Sequence, residues 1–307
     1  MNIIFLMMQR KVIQLAGKTF VVSLPSTWAK QYKIKKGQEL TVEPHGRMLQ
    51  VSTTAQVGEF SKELDITGFS RALVRRCLGA LYKAGYDRFE VRFSDPREFA
   101  DAQEVIYEEF LGFEIVDQEK NSFSARQLSH VQPEEFPTVL RRIFRIIESM
   151  ADESLEATQK KDQAWLLSIH LRDKSINKLA DFCRRILNKQ GLVEQRKVAP
   201  LYFIVETLEK VGDCFRDYSK YTSEHLFYDK ALLSFHKKVN EYFRLFYELF
   251  YDFSLAKVDL LITKKQELEK EYDALLKKIQ HHKAGIFLYT AYQLVYDMNG
   301  ALMAYQL

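Results

Sequence analysis

From Pro133 onward the sequence carries six successive amphipathic segments of helical period, near 133–158, 162–189, 198–222, 226–253, 255–280 and 283–306. Apolar residues recur three and four positions apart in each, so each must bury one stripe against its neighbours. Six segments of similar length predict two three-helix units of about 80 residues each, spanning roughly 132–222 and 226–307. The composition supports this reading: the chain has only 6 Pro and 12 Gly in 307 residues, and 47% of it is apolar, ample for a sizeable core.

Cys77, Cys183 and Cys214 are odd in number, widely spaced and without a Cys-x-x-Cys pair, which indicates neither a disulfide framework nor a thiolate zinc site. A cytoplasmic setting is expected. The apolar opening Met1–Met8 is far shorter than the roughly 20 residues of a membrane span, and Met7 or Met8 would serve as an alternative start, so no membrane insertion is expected. The net charge of +4 is mild, and its distribution says more than its size.

Between Met8 and Ser52, eight basic residues face only Glu39 and Glu43. Val12–Leu15 and Thr19–Leu24 read as strands joined across Ala16-Gly17-Lys18, and a short helix runs from Pro25 to about Tyr32. Glu39–Glu43 and Met48–Val51 read as strands closed by His45-Gly46-Arg47, giving β-β-α-β-β over residues 8–53. So small a module cannot offset its chain entropy alone, and homodimerisation is the expected remedy. Leu24-Pro25-Ser26-Thr27-Trp28-Ala29-Lys30, with Ile34–Val42 after it, resembles the AbrB/SpoVT swapped-hairpin domain. That resemblance implies a dimer with basic side chains on DNA, here Arg10, Lys11 and Lys18, with Lys30 and Arg47 as weaker candidates. The same charges also suit strand edges that must resist edge-to-edge pairing.

A change of composition at Ser52–Gly58 marks a linker, after which residues 56–128 read as a small α/β domain. Its strands are expected at 60–66 and 88–93, its helices at 68–84 and 96–111, and a hairpin at 113–116 and 122–128. Arg71, Arg75 and Arg76 on the first helix read best as a solvated face. The segment looks like the connecting domain of archaeal proteins that join AbrB and PhoU modules.

Within the third helical segment, Val205-Glu206-Thr207-Leu208-Glu209-Lys210-Val211-Gly212-Asp213 places Glu209 and Asp213 on one face beside an apolar stripe, with Gly212 permitting close helix approach. This run, together with Asp173-Lys174-Ser175-Ile176-Asn177 on the preceding segment, resembles the PhoU family, whose fold is a duplicated three-helix bundle. The resemblance implies phosphate-uptake regulation and a multinuclear iron or zinc site; the ligands would be Asp173, Asn177, Glu209 and Asp213, supplemented by Asp181 and Asp217. In the second repeat, the last helix offers Gln293 and Asp297 and the middle helix Lys265 and Glu269 opposite them, so its cluster is expected to be absent or replaced by internal ion pairs. Adjacent His281 and His282 read as surface histidines, and Phe235, Tyr242, Phe243, Phe246, Tyr247, Phe250 and Tyr251 as packing.

The expected fold is thus multidomain α+β: a swapped-hairpin β domain, a small α/β domain and an all-α bundle of two three-helix repeats. No phosphate-binding loop, dinucleotide fingerprint, nucleophile elbow or His-Glu-x-x-His appears, so no catalytic residues are expected. The expected function is a DNA-binding transcriptional regulator of phosphate uptake. The rival is an adaptor on the ATPase of a phosphate ABC transporter or on a sensor protein, with the N-terminal module serving only to dimerise.

Overall fold

The computed structural model describes residues 9–45, 48–53, 60–128, 133–190 and 194–307. The chain divides into two compact units, Met1–Glu59 and Phe60–Leu307. The first contains β1 (Ile13–Leu15), β2 (Thr19–Val21), α1 (Ser26–Gln31), β3 (Leu40–His45) and β4 (Met48–Thr53). β1 pairs with β2 and β3 with β4, both antiparallel, as two separate two-stranded sheets. Ala16 and Gly17 both take positive φ (48° and 74°), and Lys18 N–H donates to the Leu15 carbonyl at 3.2 Å, which is the turn that suits a right-twisted hairpin. Among the residues of this unit whose exposure is described, none is buried. Phe20 is 70% exposed and Leu49 65%, so alternating apolar strands are present without a core to receive them.

The second unit begins with β5 (Ser61–Asp65), α2 (Arg71–Ala84), β6 (Arg88–Arg92), α3 (Pro96–Glu109), β7 (Phe113–Gln118) and β8 (Ser122–Gln127). The sheet order is β5-β6-β8-β7, with β5 parallel to β6 and the other pairs antiparallel. Alternation decides the faces: Phe89 and Val91 are buried while Arg92 between strand and loop is exposed. α2 starts three residues later than its apolar pattern suggests, because Gly68 has a φ of 75° and the Ser70 side chain accepts Leu73 N–H to cap it. α3 opens on a capping box of Asp95 and Glu98 behind Pro96. Tyr82, Phe89, Phe110 and Phe113 stack into the core beneath the sheet.

The helical region comprises α4 (Phe136–Lys160), α5 (Gln163–His170), α6 (Asp173–Gln190), α7 (Val198–His225), α8 (Lys230–Tyr251), α9 (Leu255–Leu276) and α10 (His282–Gln306). The segment expected as one helix over 162–189 is broken at Leu171–Arg172. Arg172 N–H bonds to the Ile169 carbonyl at 3.0 Å in a tight turn, and its guanidinium grips Glu153 of α4 with two bonds of 2.6 and 2.8 Å. Glu153 also accepts Trp165 Nε1 at 2.9 Å, and the Arg172 guanidinium above all holds its carboxyl down near a pKa of about 2. One continuous core runs through α4 to α10; Phe235, Tyr242, Phe243, Phe246 and Phe250 are buried in it, as their spacing predicts.

The sheet is fastened to the bundle by a single buried cation. Arg185 of α6 is 1% exposed, and it donates to the carbonyls of Tyr82 and Tyr86 (2.8 Å each), to Asp87 Oδ1 (3.1 Å) and to Gln127 Oε1 (2.7 Å). Its guanidinium also lies over the rings of Tyr82 and Phe113. The α/β segment and the helices therefore form one compact unit rather than modules separated by a free linker. Removing one partner of such a buried network leaves the others unsatisfied. Arg185→Met is expected to cost about 3 kcal/mol in urea unfolding, against near-neutral values for the exposed Arg76→Met.

Another buried ionisable group lies between α4, α7 and α8. His236 of α8 is fully buried, 3.4 Å from Ser154 Oγ and edge-on to the Tyr218 ring. Burial pushes its pKa down to about 3, so it is neutral when folded and protonates near 6.5 when unfolded. The unfolded state thus binds the extra proton between those values, and stability present at neutral pH is lost as pH falls from about 6.5 toward 3. Thermal or urea unfolding should show a loss of about 2 kcal/mol from this group between pH 7.5 and 5, and His236→Leu should flatten that part of the profile.

Candidate functional site

The acidic residues expected as metal ligands do lie together along α6 and α7, but arginines occupy the space between them. Gly212 brings the two helices close: a side chain there would meet Ile176 Cδ1 at 2.8 Å. Along the resulting seam the carboxylates form two groups. In one, Arg184, 3% exposed, pairs with Glu206 and Glu209 of α7 and lies 2.8 Å from Asp181 Oδ1. In the other, Arg216 reaches Asp173 Oδ2 at 3.0 Å and Asp217 Oδ1 at 2.8 Å and also pairs with Asp213. Asn177 Nδ2 donates to the same Asp173 Oδ2 at 3.1 Å.

Burial acts on these groups first. It raises the pKa of Asp181 and of Glu209, with Arg184 opposing, and lifts Asp213 to about 6 against the pull of Arg216. On the cations burial acts the other way, but the surrounding carboxylates outweigh it and hold both Arg184 and Arg216 above the ordinary arginine range. Each guanidinium is planar, permanently charged and able to serve several carboxylates at once.

This donor set does not suit a polynuclear metal centre. Hard cations need several free anionic oxygens around one point, whereas here Asp181, Glu206 and Glu209 are committed to Arg184, and Asp173, Asp213 and Asp217 to Arg216. Asp173 Oδ1 and Asn177 Oδ1 are buried without a partner, as is Asp181 Oδ1 apart from its ionic contacts, and these atoms are divided between the two arginine-centred groups rather than gathered around one point. Among the described residues, no group of three or more His, Cys, Asp or Glu side chains is placed to hold a metal ion. On α9 Lys265 pairs with Glu269, and Gln293 Nε2 of α10 approaches the same carboxylate at 3.5 Å, so an internal ion pair occupies the face where a second cluster would stand.

The arginines carry a sequence signal of their own: Asp181 and Arg184, and Asp213 and Arg216, are each three residues apart on a helix and therefore neighbours. Of the residues expected on DNA, Arg10, Lys11, Lys18 and Lys30 are exposed in the first unit, and Arg47 lies outside the described residues. Among the described residues no helix is long and apolar enough to cross a membrane.

Residues 140–222, from α4 through α7, match the PhoU domain family model. The match covers roughly a quarter of the chain and includes both arginine-centred acidic groups. Neither characterised proteins nor solved structures yield a match to the chain.

If Arg216 holds the place of a cation, stripping metal with EDTA should leave the melting temperature of the native chain unchanged. Arg216→Met should lower it, and added MnCl2 should then raise the melting temperature of the variant but not that of the native chain.

Proposed function

We propose that this chain regulates phosphate homeostasis, its helical body acting as the signal-receiving part and its N-terminal unit as a dimeric DNA-binding head. The observation that carries the regulatory reading is the PhoU domain match on a helical bundle with an acidic seam. Two features of the first unit support the DNA-binding part. Its strands expose Val12, Ile13, Phe20 and Leu49 with no core of their own, which a second copy would bury. Arg10, Lys11, Lys18 and Lys30 lie exposed on the same small unit, a concentration of charge suited to phosphate. In this reading a change in the bundle alters the spacing of two paired hairpins and hence affinity for an operator, which requires two states of different DNA affinity.

The test is fluorescence anisotropy of the full chain on its own promoter and on phosphate-transporter promoter duplexes, against a scrambled duplex, over a salt series. Selective binding is expected, with log affinity falling by roughly 0.9 per phosphate contact for each tenfold rise in salt. Lys11→Glu with Lys18→Glu should reduce both affinity and slope. Equal or negligible binding to every duplex would sink the DNA-binding part and favour an adaptor that acts on a phosphate transporter through protein contact.

A further inference from the structure

At one end of the bundle α7 and α9 finish and α8 and α10 begin, so two connections, residues 226–229 and 277–281, share that end. They touch: the Phe227 and His281 rings stack at 4.1 Å, and Tyr221 of α7 meets both His281 and Phe287 of α10. Tyr272 of α9 and Tyr289 of α10 pack at 4.5 Å. Leu276 and Ile286, each about one turn nearer the connection, therefore come out at the same end. This end is basic and its charge is unpaired. Lys230, Lys277, Lys278 and Lys283 are exposed, and among the described residues no carboxylate pairs with any of them. Elsewhere on α8 and α9, Lys238, Lys257, Lys264 and Lys265 each hold a carboxylate. Asp229 is the one carboxylate of the two connections, and its Oδ1 is taken up by the Ala231 and Leu232 N–H groups at 2.9 and 3.1 Å. Between Asp273 and Asp297 the chain has no other. Beside the lysines stand apolar side chains that the core leaves out: Tyr228 is 59% exposed, Ile286 50% and Leu276 37%.

We propose that this end of the bundle docks on an anionic membrane surface, its lysines meeting lipid phosphates while Tyr228, Leu276 and Ile286 rest at the headgroup level. The kind of cation favours lipid over an acidic protein. Protein interfaces are enriched in arginine and depleted in lysine, whereas clustered basic residues beside a bilayer draw acidic lipid. Here all four cations are lysines. The exposed apolar side chains favour lipid over nucleic acid, because a phosphate backbone gives them nothing to contact, while the headgroup boundary takes up tyrosine rings and short aliphatic chains. Both sets of residues lie at one end of the bundle, where they can meet a flat surface together. The apolar contribution is small, so the contact is peripheral and reversible. It depends on charge that salt screens over about 8 Å at physiological ionic strength. The surface is separate from the acidic seam, and the proposal does not depend on the regulatory reading above.

The experiment is flotation of the full chain with vesicles of phosphatidylcholine alone and of phosphatidylcholine mixed with an equal part of phosphatidylglycerol. Binding to the anionic vesicles only is expected, and high salt should release it. A lysine near an anionic surface is worth about fivefold in affinity, so the triple variant Lys277→Gln, Lys278→Gln, Lys283→Gln should bind roughly 100-fold more weakly. Ile286→Ser should weaken binding at constant charge. Because the N-terminal unit is also basic, Lys11→Glu with Lys18→Glu is the control, and it should leave vesicle binding in place. All these positions are exposed, and an unchanged melting temperature checks that each variant folds. Equal binding to neutral vesicles would overturn the proposal. So would binding that is kept in the triple variant and lost in Lys11→Glu with Lys18→Glu, which would assign the lipid to the N-terminal unit. Absence of binding to anionic vesicles would also overturn it, and would leave an acidic protein as the occupant of this end.

Discussion

Two consecutive arginines on α6 organise the larger unit. Successive helical side chains diverge by about 100°, so Arg184 and Arg185 leave the same turn toward different neighbours. Arg184 enters the acidic seam with α7, and Arg185 meets Tyr82, Tyr86 and Asp87 at one end of the central strands β6 and β8. Both are almost fully buried. Such charges are tolerable because carbonyls, carboxylates and ring faces meet them, although Arg184 Nε is left without a hydrogen-bond partner, and the same dependence makes each partner costly to lose. Lys189, one turn further along α6, adds a second cation to Asp87. The sheet is thereby tied to the bundle by directional bonds as well as by packing.

Asp87 extends this connection toward the beginning of the unit, since its other carboxylate oxygen accepts the Phe60 N–H at 3.2 Å. Phe60 is the first described residue after the segment that leads from the basic N-terminal unit. The contrast between the two units is thermodynamic. The larger has a continuous core through seven helices and a second core under its sheet, while the smaller has strands, turns and charge but no buried side chain among its described residues. A chain segment in that condition gains its missing apolar burial from association.

Much of the fold was legible from local chemistry. Period-two alternation at Arg88–Arg92 and the Ala16-Gly17 turn are decided within a few residues, and the structure has them where the sequence predicts. The break between α5 and α6 was not legible, because Leu166, Ile169 and Ile176 keep a helical apolar period across it; the turn depends on Glu153, a residue of another helix. The acidic face shows a similar division. The spacing of Glu209 and Asp213, and the close approach at Gly212, follow from helical geometry. The occupants of that face do not follow from the acids alone, because Arg184 and Arg216 must be weighed with them. Their three-residue offset from Asp181 and Asp213 was visible, but their inward orientation required the packing of α6 on α7.

The central claim is a division of labour between a one-piece body and a head that is complete only as a pair. Sedimentation velocity at micromolar concentration, run on the full chain and on residues 60–307, addresses it most directly. A dimeric full chain beside a monomeric, folded 60–307 fragment is the expected result. A monomeric full chain, or a 60–307 fragment that still dimerises, would contradict it.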